Sequence, residues 1–227
     1  MSGPLPPTTL VRRYDTHRLI PARLGDGGTG VLARIADGAD LDAVLELDHA
    51  TDDRLLAEND LLPGIGVDEL VFAVPHFRTV NAAFCHAHPE GSRFGGPERG
   101  AWYAAFERET AIAETAFHKA VALAEIGRFE DEVSFDDYLA DVGAELADLR
   151  PGGFGDCLDP ASYVAAQELA ERLLAEGGLG VVYPSVRDPG GTCVALFRPA
   201  LVGNVRRAAT LTFTWNGTAV PSVTVRD

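Results

Sequence analysis

Residues 91–118, GSRFGGPERGAWYAAFERETAIAETAFH, constrain the fold more tightly than any other stretch. Arg93 sits in a glycine-rich turn, a short aromatic strand follows and ends near Tyr103, and an alanine-rich helix then carries Glu114 and His118. Within that helix Glu109, Ala113 and Phe117, and again Ala111, Glu114 and His118, recur at spacings of three and four. Glu114 and His118 therefore share one face. A carboxylate, an imidazole, a phenol and a guanidinium arise in one turn–strand–helix unit, a set suited to an anionic ligand with a reacting centre. The same spacing also fits a core tyrosine and a solvated Glu–His pair, so position alone leaves that choice open.

The chain of 227 residues is long enough for one domain with a full core, read here as a loose proline-rich arm over 1–9 and a single domain over 10–227. Its 46% hydrophobic and 23% charged residues are ordinary globular composition. No apolar run approaches the roughly 18 residues of a membrane span, and no charged segment followed by an apolar one opens the chain, so a cytoplasmic protein is expected. Cys85, Cys157 and Cys193 lie far apart without ligand spacing, which argues against a disulfide scaffold or zinc. His86 and His88 beside Cys85 read as turn residues, and no metal is expected. A net charge of −15 argues against nucleic acid as a direct partner and fits solubility or a basic partner protein. A small anionic substrate would need a local pocket of arginines inside this acidic shell.

In chain order, 11–21 predicts an early strand. The glycine-rich 25–30 lacks the Gly-Lys-Ser/Thr ending of a phosphate loop and reads as a flexible loop. A helical pattern fills 31–60, with Asp40 as an N-cap, and 71–75 and 80–84 read as strands or strand edges. Ser134 followed by Asp137 resembles a capping arrangement for a helix through Tyr138, Val142 and Leu146, with the acidic run before it as a solvated face. Residues 160–177 predict an amphipathic helix with Tyr163, Ala166, Leu169, Ala170, Leu173 and Leu174 on one side, ended by Gly177 and Gly178. Two strands, GVVYPS and TCVALF, follow over 180–197, joined by the turn VRDPGG. Ser185 stands where the first strand leaves for that turn. It suits ligand contact and turn duty equally, and it lacks the elbow motif of a hydrolase nucleophile. Residues 211–225 predict an edge hairpin around Asn216-Gly217.

Taken together, NAAF (81–84), GSRF (91–94), WYAAFERETAIAETAFH (102–118) and GVVYPSVRDPGGTCVALFRP (180–199) resemble the RES domain, the toxin of RES–Xre toxin–antitoxin pairs. HRLIPAR (17–23) resembles the family's opening arginine segment, and the likeness runs over residues 10–215. The resemblance implies an α/β (α+β) fold, a mixed β core with surrounding helices similar to ADP-ribosyltransferases, departing from shorter members by a helical insertion at 31–70. It implies NAD as substrate, with inorganic phosphate as a co-substrate if cleavage is phosphorolytic, an Xre-type antitoxin as partner that would carry any DNA contact, and a homodimer. By position, Glu114 falls to the ribose and its developing positive charge. Arg93 and Arg18 fall to the pyrophosphate, with Arg12, Arg13 and Arg23 competing for the place of Arg18. Tyr103 would stack on or orient the nicotinamide, Ser185 would hydrogen-bond the ligand, and His118 would help with proton transfer. The alternatives carried beside NAD cleavage are ADP-ribosyl transfer to a protein and a catalytically silent partner-binding module.

Overall fold

A computed structural model of the chain describes residues 4–22 and 64–226. Along them run β1 (Thr8–Pro21), α1 (Phe77–Cys85), β2 (Trp102–Ala105), α2 (Arg108–Glu125), β3 (Glu130–Asp148), α3 (Val164–Ala175), β4 (Gly180–Pro184), β5 (Thr192–Leu196), β6 (Gly203–Asn216) and β7 (Ser222–Arg226), with short 3-10 turns between some of them. The glycine-rich 25–30 loop, the helical pattern at 31–60 and Arg23 lie outside the described residues.

β3 organises the sheet. The strand order is β1–β2–β5–β4–β3–β6–β7, and β1 pairs with β3 as well, so five strands close into a ring from which β6 and β7 extend. Among the described residues only the β3–β4 pairing is parallel, at Ala147 and Asp148. This is the mixed α+β core expected from the sequence.

The helix expected through Tyr138, Val142 and Leu146 is instead the middle of this strand. Residues four apart satisfy a period of two as well as one near four. The deciding residues are those between: Ala140 and Ala144 are buried on the same face, in the same cluster. Nor is the acidic run wholly a solvated face. Asp136 and Asp137 are buried. Arg207 Nη2 donates to Asp136 Oδ1 at 2.7 Å and Thr210 Oγ1 to the same atom at 2.8 Å. Asp137 takes His17 Nδ1 at 2.9 Å and Arg108 Nε at 3.0 Å. Charges of this kind enter a core only when paired.

The segment expected as strands at 71–75 and 80–84 is a loop and then α1. Val80 and Phe84, one helical turn apart, bury against Trp102 and Leu70. The side chain of Asn81 takes the place of a strand partner for residue 71: its Oδ1 accepts Val71 N–H at 3.1 Å and its Nδ2 donates to Val71 O at 2.8 Å. The proline-rich opening, expected to be loose, is held over 4–9. Leu5 packs against the buried cluster that holds Ala147, Leu149 and Val181, and Asp148 N–H donates to Pro7 O at 2.8 Å. The remaining expectations at 160–177, 180–197 and 211–225 correspond to α3, the β4–β5 hairpin and the β6–β7 hairpin.

A bulge in β1 sets which side chains face the helices. The register with β3 shifts by one between Arg13 and Thr16, where Asp15 has φ 56°. One inserted residue exchanges the two faces of the strand. Before it, Val11 joins the cluster on the α1 side; beyond it, Ile20 packs there, while Leu19 packs toward the opposite face. α3 packs on that opposite face against Val181, Tyr183, Cys193 and Ala195, and α2 covers Phe135, Leu211 and Phe213 through Leu123, Ile112 and Ala116. No helix among the described residues is long and apolar enough to cross a membrane.

Candidate active site

The turn that bears Arg93 is built by Tyr103. Ser92 N–H donates to Gly95 O at 2.7 Å, and the Tyr103 hydroxyl accepts Phe94 N–H at 2.8 Å and meets Ser92 Oγ at 2.8 Å. Burial pushes that phenol up to about 12, so it stays protonated and serves as a structural hydrogen-bonding centre. Gly91 is required here: its φ is 74°, and a Cβ would stand 2.5 Å from Gly95 O. Gln167 Nε2 on α3 donates to Ser92 O at 3.0 Å and ties the turn to that helix.

Arg93 is buried, and its Nη1 donates to Asp159 O at 2.8 Å and to Cys157 O at 3.1 Å. Its Cζ lies 4.7 Å from the centroid of Tyr163. Half of the guanidinium fork thus holds the 157–163 segment in place, in addition to the positive charge it contributes. Tyr163 was expected on the apolar face of α3; it stands at the N-cap instead, as the platform for Arg93.

The opposite wall comes from α2 and the β4–β5 turn. Ser185 Oγ–H donates to Glu114 Oε1 at 2.6 Å, a charge-assisted length, while the same oxygen accepts Asp188 N–H at 3.0 Å and Arg187 N–H at 3.1 Å. Among the described residues Glu114 Oε2 accepts no hydrogen bond. Arg187 reaches across to α2, its Cζ 3.4 Å from the Phe117 centroid and its Nη2 donating to Pro160 O at 2.8 Å. His118 stands exposed at the rim. Its imidazole is drawn below the usual value, first by the protein around it, against the opposing pull of Glu114, with Arg187 and Arg93 adding to the lowering. A value below 6.5 favours the neutral ring at pH 7.

Three residues that the sequence did not assign to the site, Tyr183, Cys193 and Arg187, belong to the same neighbourhood. The Tyr183 phenol is raised well above its usual value by burial first, and also by Cys193, Tyr103 and Glu114. The Cys193 thiol, with Sγ 4.0 Å from Glu114 Oε1, is pushed up to about 12 by burial and then by that carboxylate, so it is inert as a nucleophile. Arg187 lies inside the quoted 180–199 segment, and only its contact with Phe117, set by the fold, reveals its place.

Arg93, Tyr103, Glu114, His118 and Ser185 are thus brought together. Arg18 meets β2 itself, and its charge also reaches the Tyr103 phenol, whose pKa it lowers against the larger effect of burial. Trp102 and Tyr103 are successive residues of a strand and point to opposite faces. The Arg18 guanidinium lies 4.8 Å from the Trp102 ring, with Nη1 donating to the backbone oxygen of Tyr103 at 3.1 Å. Burial pulls its pKa down to about 10, which leaves it charged at neutral pH. Arg18 therefore braces β2 from behind. Arg13 lies near α2, donating to Phe106 O at 2.8 Å. Chemically, the group offers a carboxylate with one anchored oxygen, flanked by two guanidinium groups, a neutral imidazole and buried phenols.

The sequence profile of the RES domain matches residues 70–216. The chain belongs to the RES domain family. Among curated relatives of this RES domain protein is the uncharacterized protein y4oC of Sinorhizobium fredii, 25% identical over 210 residues, covering 90% of this chain and 84% of that one. Among solved structures, a chain of the M. tuberculosis MbcT-MbcA toxin-antitoxin complex matches with a TM-score of 0.48 and 14% identity, over 91% of this chain and 87% of that chain.

Proposed function

We propose that this RES domain protein cleaves the nicotinamide–ribose bond of NAD, and that it acts as a toxin held in check by an Xre-type antitoxin. The observation that carries the reading is the 2.6 Å hydrogen bond by which Ser185 fixes Glu114, in a group that also holds Arg93, Tyr103 and His118. Cleaving the bond sends its electron pair to nicotinamide and leaves an oxocarbenium-like ribosyl centre, which a fixed carboxylate stabilises electrostatically. Glu114 fills that role through Oε2. Arg93, aided by Arg187, faces the diphosphate, where guanidinium donors match phosphate oxygens. Tyr103 and Ser185 hold the walls, and neutral His118 at the rim takes up the proton released when water or phosphate adds to the ribosyl carbon. Arg18 contributes through the strand it braces, a change from the pyrophosphate role its position in the sequence suggested. Family membership supports an antitoxin partner, and the chain's net charge of −15 fits a division in which DNA contact falls to that partner.

The test is incubation of the purified protein, free of any partner, with NAD in the presence and absence of inorganic phosphate, followed by mass. Nicotinamide with ADP-ribose names water as acceptor, nicotinamide with ADP-ribose phosphate names phosphate, and an ADP-ribosyl mass on a protein names transfer. An unchanged NAD pool in folded protein sinks the proposal.

A further inference from the structure

Glu114 is not alone on α2 in gripping the β4–β5 turn. One helical turn earlier, Thr110 Oγ1 donates to Asp188 Oδ2 at 2.6 Å, and Thr110 is 1% exposed. Four residues apart, Thr110 and Glu114 lie on one face of the helix. Their two partners, Asp188 and Ser185, belong to one turn closed by its own backbone: Ser185 N–H donates to Gly191 O at 2.9 Å, and Gly191 N–H to Asp188 O at 3.0 Å. The approach needs a glycine. A Cβ at Gly191 would run into Thr110 Oγ1 and stand 2.7 Å from Asp188 Oδ2.

Asp188 also controls where the Ser185 proton points. Its backbone N–H and that of Arg187 both donate to Ser185 Oγ. A hydroxyl has two lone pairs and one proton; with both lone pairs engaged, the proton has one direction left, toward Glu114 Oε1. A carboxylate held at one oxygen presents the other in a fixed place.

We propose that Thr110 and Asp188 are positioning residues that clamp the β4–β5 turn onto α2, so that Ser185 anchors Glu114 Oε1 and leaves Oε2 facing the ligand. The kinetic arm of the test rests on the NAD reading above; the structural arm does not.

The experiment compares the parent protein with Thr110→Val, Thr110→Ser and Asp188→Ala in NAD turnover, and adds a crystal structure of Thr110→Val. Misplacing the carboxylate by a fraction of an ångström lowers kcat about tenfold in Thr110→Val and Asp188→Ala, with KM within about twofold and Thr110→Ser within about twofold of the parent. Asp188 is half-buried at the turn, so Asp188→Ala reports on the clamp without opening the core even if Thr110→Val fails to fold. Parent-like kcat in Thr110→Val, equal impairment of Thr110→Ser, or a loss confined to KM overturns the proposal. Should the parent release no nicotinamide, the NAD reading fails and the crystal structure decides. A displaced Ser185 Oγ then supports the clamp, and one still 2.6 Å from Glu114 Oε1 overturns it.

Discussion

Ser185 at the exit of β4 and Glu114 in the middle of α2 are 71 residues apart in the chain and 2.6 Å apart in the fold. Because both backbone donors of the turn saturate the serine oxygen, this bond is directed rather than incidental. Glu114→Gln keeps the shape of the side chain and removes its charge. Nicotinamide release falls by about a hundredfold or more, since the lost interaction is with charge that develops in the transition state. The thermal midpoint of the variant stays close to that of the parent. Ser185→Ala loses less, about tenfold in kcat, because the carboxylate remains but is no longer held.

Tyr103→Phe separates structure from chemistry. Without the hydroxyl, Phe94 N–H and Ser92 Oγ lose a shared partner in a largely buried turn. Denaturant unfolding shows a loss of about 1–3 kcal/mol. The turn carrying Arg93 loosens with it, so KM for NAD rises more than kcat falls.

Asp137 binds α2 to the sheet by its first turn. Its carboxylate, with side-chain exposure of 0%, meets His17 at 2.9 Å and Arg108 at 3.0 Å. Asp137→Ala leaves Arg108 without its counter-charge and His17 without its hydrogen-bond partner, and costs about 3 kcal/mol in urea unfolding. A neutral effect there would show that water replaces the carboxylate.

Glu69 gives the fold an acid limit. Arg99 donates to its two oxygens at 2.9 and 2.7 Å, and Arg198 Nη1 approaches Oε2 at 2.6 Å. The hydrogen bonds from Arg99 hold its pKa below the usual 4.5, against a smaller opposing effect of burial. A lowered carboxylate pKa contributes stability that is fully present above the unfolded value and is lost as pH falls through the folded value. The thermal midpoint of the parent should therefore exceed that of Glu69→Gln above pH 4.5, and the gap should close below it.

Much of the site was legible because its signals are local. The spacing of Glu114 and His118 gives one helix face, and VRDPGG marks the turn that follows Ser185. β3 is not legible as a strand because Tyr138, Val142 and Leu146 fit two periods, and the pairing of β1 and β6 along its edges selects the strand. Asp136 and Asp137 looked solvated because their arginine and histidine partners come from elsewhere in the chain. The motif at 17–23 does not say which face of β1 Arg18 takes; the bulge at Tyr14–Asp15 sets it, and the guanidinium comes to lie over Trp102. The contacts of Arg93 with Tyr163, Arg187 with Phe117 and Thr110 with Asp188 join elements far apart in the chain, and no local pattern announces them.

NAD cleavage through Glu114 is tested by nicotinamide release from NAD by the folded, partner-free protein, measured beside Glu114→Gln under identical conditions. Steady release by the parent is expected, with a rate lower by about a hundredfold or more in the variant. No release by the parent, or equal release by both proteins, would contradict it.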